Sequence, residues 1–403
     1  MFLALVLPAF CLQACKKRDG GDSTPQPIIE EQEVVPNLST IRSWLIDRNA
    51  TDETAWLFYN MKMVAKKNIL FGHQDATKRG VIDPSTSWAN EQHLPTVSKE
   101  KSDVKEITGS FPAVYGHDFN YIAGWSDGGW FDYERQIAKE LTIEAYNRGG
   151  INTYSWHYSN PVSKGSFNWS ESQVEAVSKI LPGGSHHEIY KGSLKQIADY
   201  AKSLIGADGK LVPVIFRPFH EMDGSWFWWG KNHCTPAQYK ELFQFTVTYL
   251  SEELNVHNFL YCWSPGGDYT SSTQYLQYYP GDDYVDILGT DNYGLNTNIS
   301  NASISNKLKI VSDYAKDKNK IAAFTEAGQQ NLTVNNWYTQ KLLAILQTQK
   351  IEMAYVLVWA NTTSSYWTPY KNHPAETDFV QFKNSAYVMF ANELVRTMYK
   401  HPQ

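Results

Sequence analysis

The sequence is poor in the features that mark several large classes of protein. It holds four cysteines in 403 residues, and no set of His, Cys, Asp or Glu falls at metal-ligand spacing. His186-His187 with Glu188 is the nearest approach, but adjacent side chains diverge on a helix, so this reads as a solvated helix start. No metal and no cofactor is expected. A Walker-type glycine loop is missing, and no serine sits in a nucleophile elbow. Positive charge is in deficit, with 36 Lys+Arg against 42 Asp+Glu and a net charge of -6, which leaves no footprint for nucleic acid. No apolar run is long enough to span a bilayer. What the chain has in quantity is aromatic side chains, with 14 Trp and 25 Tyr. Core packing accounts for many of them. Trp226, Phe227, Trp228 and Trp229, however, fall in one loop-like stretch where a core role is harder to arrange. Aromatic faces in a cleft suit the C–H surfaces of sugar rings.

The first residues read as export machinery. Met1–Phe10 is an apolar run of signal-peptide length. Leu12-Gln13-Ala14-Cys15 resembles a bacterial lipobox, in which Cys15 carries lipid and begins the mature chain. No Lys or Arg precedes the apolar run, a departure that points to a translation start upstream of Met1. Residues 1–14 are thus expected to be a signal peptide and 15–37 a polar, Pro-containing tether, followed by a single catalytic domain over 38–403. Lys16 is not the Asp that retains lipoproteins at an inner membrane, so an outer-membrane lipoprotein, monomeric, is expected. Cys234 and Cys262 remain. They could pair, but Cys262 lies within an apparent strand, Phe259–Trp263, which favours free thiols.

From residue 69 onward one pattern recurs: a brief apolar run ending in polar residues, then an amphipathic segment. The runs are Ile69–Asp75, Phe111–Asp118, Ile151–His157, Val212–Glu221, Asn258–Gly266, Val285–Tyr293, Ile321–Gly328 and Met353–Asn361. Helical periodicity falls between them at Trp130–Arg148, His187–Leu204, Pro236–Leu254, Asn301–Lys316 and Asn335–Gln349. Thr51–Asn68 reads as a helix closing the bottom of the fold, and Asn384–Tyr399 as a final helix. Eight parallel βα units imply a (β/α)₈ barrel. Barrel enzymes carry their chemistry at the C-terminal ends of the strands. Here those ends hold Asp75, His117, Asp118, His157, His220, Glu221, Asp291, Tyr293, Glu326 and Trp359.

Two of these suggest a reaction. Glu221 ends the fourth strand and Glu326 the seventh, facing one another across the barrel mouth. Cleavage of a glycosidic bond needs an acid at the leaving oxygen and a second carboxylate at the anomeric carbon, ~5–5.5 Å apart for retention of configuration.

The string Val214-Ile215-Phe216-Arg217-Pro218-Phe219-His220-Glu221-Met222-Asp223-Gly224-Ser225-Trp226-Phe227-Trp228-Trp229 resembles the acid/base motif of glycoside hydrolase family 26. Phe324-Thr325-Glu326-Ala327-Gly328 resembles its nucleophile motif. Phe71-Gly72-His73-Gln74, Gly289-Thr290-Asp291-Asn292-Tyr293-Gly294 and Tyr355-Val356-Leu357-Val358-Trp359 extend the likeness over about residues 40–400. The resemblance implies Glu221 as acid/base and Glu326 as nucleophile. It implies that Tyr293 and His220 bond the nucleophile, that His157 and Asp286 contact sugar, and that Trp226 and Trp359 wall the subsites on either side of the scissile bond. By strand phase alone Asp286 is equally a buried polar residue near a strand start. Most of that family acts on mannans, which implies a retaining endo-β-1,4-mannanase acting on mannan, glucomannan or galactomannan. β-1,3-Xylan or mixed-linkage glucan stays open as substrate, as does a glycan-binding lipoprotein without turnover. Ala360 stands where some mannanases carry an Arg that grips a distal mannose, so the distal glycone side is left unspecified and endo against mannobiose-releasing exo action stays open.

Overall fold

Eight parallel strands close on themselves: β1 Ile69–Gln74, β2 Val114–Asp118, β3 Ile151–Trp156, β4 Val214–Pro218, β5 Phe259–Trp263, β6 Ile287–Asp291, β7 Ile321–Ala327 and β8 Tyr355–Val358. Each pairs with the next, and β8 returns to β1 from Leu70↔Tyr355 to His73↔Val358. The protein is described from a computed structural model covering residues 34–90, 98–296, 300–348, 350–394 and 398–402. The signal-peptide and Cys15 lipidation readings, and most of the tether, lie outside the described residues.

The strands are buried on both faces, as a barrel enclosed by helices requires, and so read as near-continuous apolar runs. Helices occupy the connections at Gly129–Asn147, His187–Ser203, Pro236–Thr248 and Asn301–Asp317. Their starts are local chemistry. Thr235 and Gln238 form a reciprocal capping box ahead of Pro236, and the Ser300 hydroxyl accepts the Ser303 amide at 3.2 Å. The helix Asp52–Ala65, capped by Thr51, touches β1, β5 and β7. One helix reaching three non-adjacent strands lies across the end of the barrel.

Pro36–Gln403 form one compact unit. Asn37, assigned to the tether from sequence, belongs to this unit, since its side chain caps the helix Leu38–Arg42. The expected helix at Asn384–Tyr399 is absent from the described part of that segment. The helix there is Glu376–Lys383, and Val388–Met389 then adds a short parallel strand beside β1. Val388 and Phe390 are buried on either side of half-buried Met389, a two-residue period, and the Glu393 carboxylate folds back onto the Phe390 amide. Asn335–Gln349 is a widened turn, Tyr338–Leu343, followed by Ala344–Leu346. Between β1 and β2 the chain builds a hairpin, Arg79–Asp83 with Thr86–Ala89, and a short helix, Asp103–Thr108, neither evident from periodicity. Among the described residues, no helix is long and apolar enough to cross a membrane. Cys234 and Cys262 are free.

Candidate active site

The end of β4 is held in an unusual backbone conformation. Phe219 and Glu221 both lie in the left-handed region, at φ 52° and 54°. For side chains of this size such a conformation persists only when its surroundings over-determine it. Here the Tyr239 hydroxyl donates to the Phe219 carbonyl at 2.9 Å, and the Trp229 indole N–H to the His220 carbonyl at 2.8 Å. The Glu221 amide donates to the Ser264 carbonyl, beyond β5, at 2.9 Å. The backbone is thereby pinned so that Glu221 turns into the mouth of the barrel.

This pinning explains three of the four consecutive aromatics. Phe227, Trp228 and Trp229 are buried, contrary to the expectation for a loop. The segment folds back on the loop after β3, with a bridge between Asn168 and Phe227 and the Trp228 indole donating to the Tyr158 carbonyl at 2.7 Å. Trp226 alone is exposed, at 49%. Its indole lies across Gly224, where a Cβ would fall 2.2 Å from the ring, and donates to Oε2 of Glu221 at 2.7 Å.

Glu326 is placed by an irregularity in β7. The β6–β7 register runs Thr290↔Phe324 and then Asp291↔Glu326, leaving Thr325 as an extra residue. Such a bulge re-aims a side chain. It sets Glu326 and Asp291 beside Arg217, a buried cation from β4. Arg217 donates to Oε1 of Glu326, to Asp291 at 2.6 Å and to Ser264 Oγ at 3.0 Å. The Tyr293 hydroxyl donates to the other oxygen of Glu326 at 2.7 Å. His220 does not bond Glu326 as expected. Its Nε2 stands 4.0 Å from Oε1, which Arg217 already occupies.

The two carboxyls therefore live in opposite surroundings. Burial first, then the charges of Glu326 and Asp291, push the Glu221 carboxyl well above its usual range, so it keeps a proton. Trp226 donates to Oε2, which leaves Oε1 as the oxygen available to carry that proton. Glu326 has a guanidinium on one oxygen and a phenol on the other. Burial and charge together keep the Tyr293 phenol protonated. Burial, then Arg217 and His157, keep the His220 imidazole neutral.

The remaining expected site residues divide. His157 faces the same mouth, its ring among those of Phe167, His220, Phe227 and Trp359 at 4.7–5.7 Å between centroids. Asp118 bonds its Nδ1 and accepts its backbone amide, which leaves Nε2 toward the opening. Burial would raise Asp118, but His157 and the backbone amides hold it below the usual carboxylate range. Asp286 is a correction. It precedes β6, at the opposite end of the barrel from the mouth, is 1% exposed, and accepts the amides of Ile46 and Tyr261 at 3.0 and 2.9 Å. It ties the N-terminal segment to β5 at the end of the barrel away from the mouth.

Arg217 is the functional residue that sequence reasoning quoted without a role. A charged side chain inside an apolar barrel strand must find partners, and that was the available signal. His220, Asp291 and Glu326 also form the one group with metal-ligand geometry among the described residues, but Arg217 places its cation between the two carboxylates.

Residues 46–384 match the sequence profile of glycosyl hydrolase family 26. A mannan endo-1,4-β-mannosidase from Bifidobacterium adolescentis is 33% identical over 91% of this chain, which spans 37% of that protein's length. One from Bacillus subtilis is 29% identical over 70% of this chain and 75% of its own. Among solved structures, GH26C from a Muricauda species superposes with a TM-score of 0.84 at 35% identity, covering 92% of this chain and 100% of that one. A GH26 β-mannanase from Bacteroides ovatus superposes at 0.77 and 34% identity, covering 87% and 98%. With a site built at the ends of β4 and β7 and a family match across most of its length, the chain belongs to glycosyl hydrolase family 26.

Proposed function

We propose that the protein is an endo-acting β-1,4-mannanase that works with net retention. The observation that carries this reading is the pair of carboxyls in different surroundings: Glu221, buried and pushed above the usual carboxyl range, and Glu326, bracketed by Arg217 and Tyr293. Glu326 attacks the anomeric carbon while Glu221 gives its Oε1 proton to the departing oxygen. Once Glu326 is esterified its charge is gone, and with it one of the causes that held Glu221 protonated. Glu221 then becomes the stronger base that takes a proton from incoming water. His157, Trp226 and Trp359 provide sugar contacts along the opening. Mannan as substrate is supported by the mannosidases that this chain is similar to.

The Leu12–Cys15 motif supports lipid attachment at Cys15 and an outer-membrane location, and Cys15→Ala should abolish incorporation of labelled fatty acid. Activity is tested by product release from mannan, glucomannan, galactomannan, β-1,3-xylan and mixed-linkage β-glucan, with the product anomer followed by NMR. β-Anomers appearing first from the mannans support the reading. Release from xylan or glucan alone, or α-anomers first, overturns it.

A further inference from the structure

The opening does not end at Trp359. A cavity of about 390 Å³ adjoins it, lined by Asp118, His157, Phe167, Trp359 and Ala360 among others. A second, of about 360 Å³, continues it outward, and the two share Lys78, Arg79, Tyr121, Glu134 and Thr362. Both lie in the size range of built ligand sites. The loops after β1, β2 and β8 form them, across the barrel from Trp226, which follows β4. Glu221 protonates the leaving group and carries Trp226 on its side, so the opposite limb faces the glycone half of a substrate.

Three aromatic side chains are exposed among the large hydrophobics of the described residues: Trp226, Trp130 at 40% and Tyr121 at 38%. The last two line the outer cavity. Their rings meet edge to face at 4.6 Å, and Trp130 also meets Phe131, which stacks on Trp125 at 4.9 Å. The Trp130 face is braced in the open instead of folding into the core.

The facing wall is built with equal care. In the Arg79–Ala89 hairpin the Trp88 indole donates to Asp103 at 2.7 Å and the Val81 amide to the same carboxylate at 2.8 Å. The Asn361 amide, two residues beyond Trp359, donates to it at 2.7 Å. Gly80 makes this closeness possible, since a Cβ there would fall 2.2 Å from Asp103. The outer wall is thereby tied to the loop that carries Trp359. Between the walls the Lys78–Glu134 pair, at 2.7 Å and largely buried, holds fixed donors and acceptors.

We propose that the outer cavity is a distal glycone subsite, where the Trp130 ring stacks on a backbone sugar of a β-1,4-linked chain, Tyr121 stands at that sugar's edge, and Lys78 and Glu134 bond its hydroxyls. The identity of that sugar as mannose rests on the proposed function. Polar fixtures and exposed aromatic faces together fit a carbohydrate, which presents hydroxyls at its edge and C–H groups on its face. With Ala360 at the inner cavity, grip on the glycone is displaced outward to this second cavity, and long chains are favoured over short ones.

The test compares wild type, Trp130→Ala and Trp130→Phe on mannohexaose and on an aryl β-mannobioside, too short to reach the outer cavity. Trp130→Ala should lose roughly tenfold in kcat/KM on the hexasaccharide, in proportion to a lost stacking contact. It should keep its rate on the aryl mannobioside and its melting temperature, and Trp130→Phe should recover most of the loss. Equal rates of wild type and Trp130→Ala on mannohexaose would overturn the subsite while leaving the mannanase reading intact. So would equal losses on both substrates. With galactomannan run alongside as a third substrate, a loss there and none on mannohexaose would assign the cavity to side branches and overturn the backbone subsite. Wild type inactive on every manno-oligosaccharide would overturn the proposed function itself, and this assignment with it.

Discussion

The Trp226 indole N–H donates to Oε2 of Glu221 at 2.7 Å while the ring remains 49% exposed. One side chain thus serves both as a partner of the acid/base and as a surface offered to substrate. The two roles separate by substitution. A donor to a carboxylate favours its charged form, so this bond lowers the pKa that burial raises. Trp226→Phe keeps a ring and loses the donor, so the alkaline limb of the kcat/KM profile should move to higher pH. Trp226→Ala should additionally lose about 1–3 kcal/mol of stacking, roughly tenfold to hundredfold in kcat/KM on polymer. Its melting temperature should barely move, and a fall of many degrees with normal activity would assign the ring to the core.

Division of labour between the carboxyls is read with activated substrates. Glu326→Ala should abolish hydrolysis of all substrates, since no covalent intermediate forms. Glu221→Ala should still be glycosylated by aryl glycosides with good leaving groups, because these need little proton assistance. The glycosyl-enzyme should accumulate, and added azide should release it as a β-glycosyl azide. Identical losses in both variants, with no azide effect, would refute the assignment.

Arg217 offers a stability test. It is 3% exposed and bonds two carboxylates, which stay charged in its absence only at a cost. Arg217→Met should destabilise the fold by about 3–5 kcal/mol, the usual penalty for stranding a buried charge. Urea unfolding measures this directly. A loss below about 1 kcal/mol would mean that the cluster is hydrated in solution.

Asp286 carries a pH signature. Burial raises its carboxyl from 3.8 to about 6. A group that binds its proton more tightly when folded contributes stability below its unfolded pKa and loses it as pH rises through the folded one. The contribution should fade between about pH 4 and 6. Asp286→Asn should flatten urea stability across that window. Its kcat/KM on mannan should stay near wild type, whereas a large loss would restore Asp286 as a sugar contact.

The barrel was legible because parallel strands covered on both faces must be apolar throughout, and their polar C-terminal ends then stand out. Glu221 and Glu326 were legible for the same reason, each being a carboxylate where an apolar run stops. The misreadings have a common root in side chains whose surroundings come from distant segments. Trp228 and Trp229 read as cleft residues because nothing local shows the loop after β3 folding over them. Asp286 sits seven residues before Tyr293, and spacing cannot say that a strand carries the two to opposite ends of a barrel. His220 lost its expected partner to Arg217, whose guanidinium crosses from β4 toward β6 and β7. Trp130 appeared only as the start of a helical stretch, because nothing local shows the β1–β2 hairpin that supplies the facing wall.

Ser264 takes the Glu221 amide on its carbonyl and the Arg217 guanidinium on its hydroxyl, and Arg217 in turn grips Glu326. Acid/base and nucleophile thus hang from one residue at the end of β5. A thermal excursion of that strand end carries both carboxyls in the same direction. Their separation, on which the stereochemical outcome depends, is thereby set by one shared support. The gap is a differential quantity, and a shift common to both carboxyls leaves it unchanged.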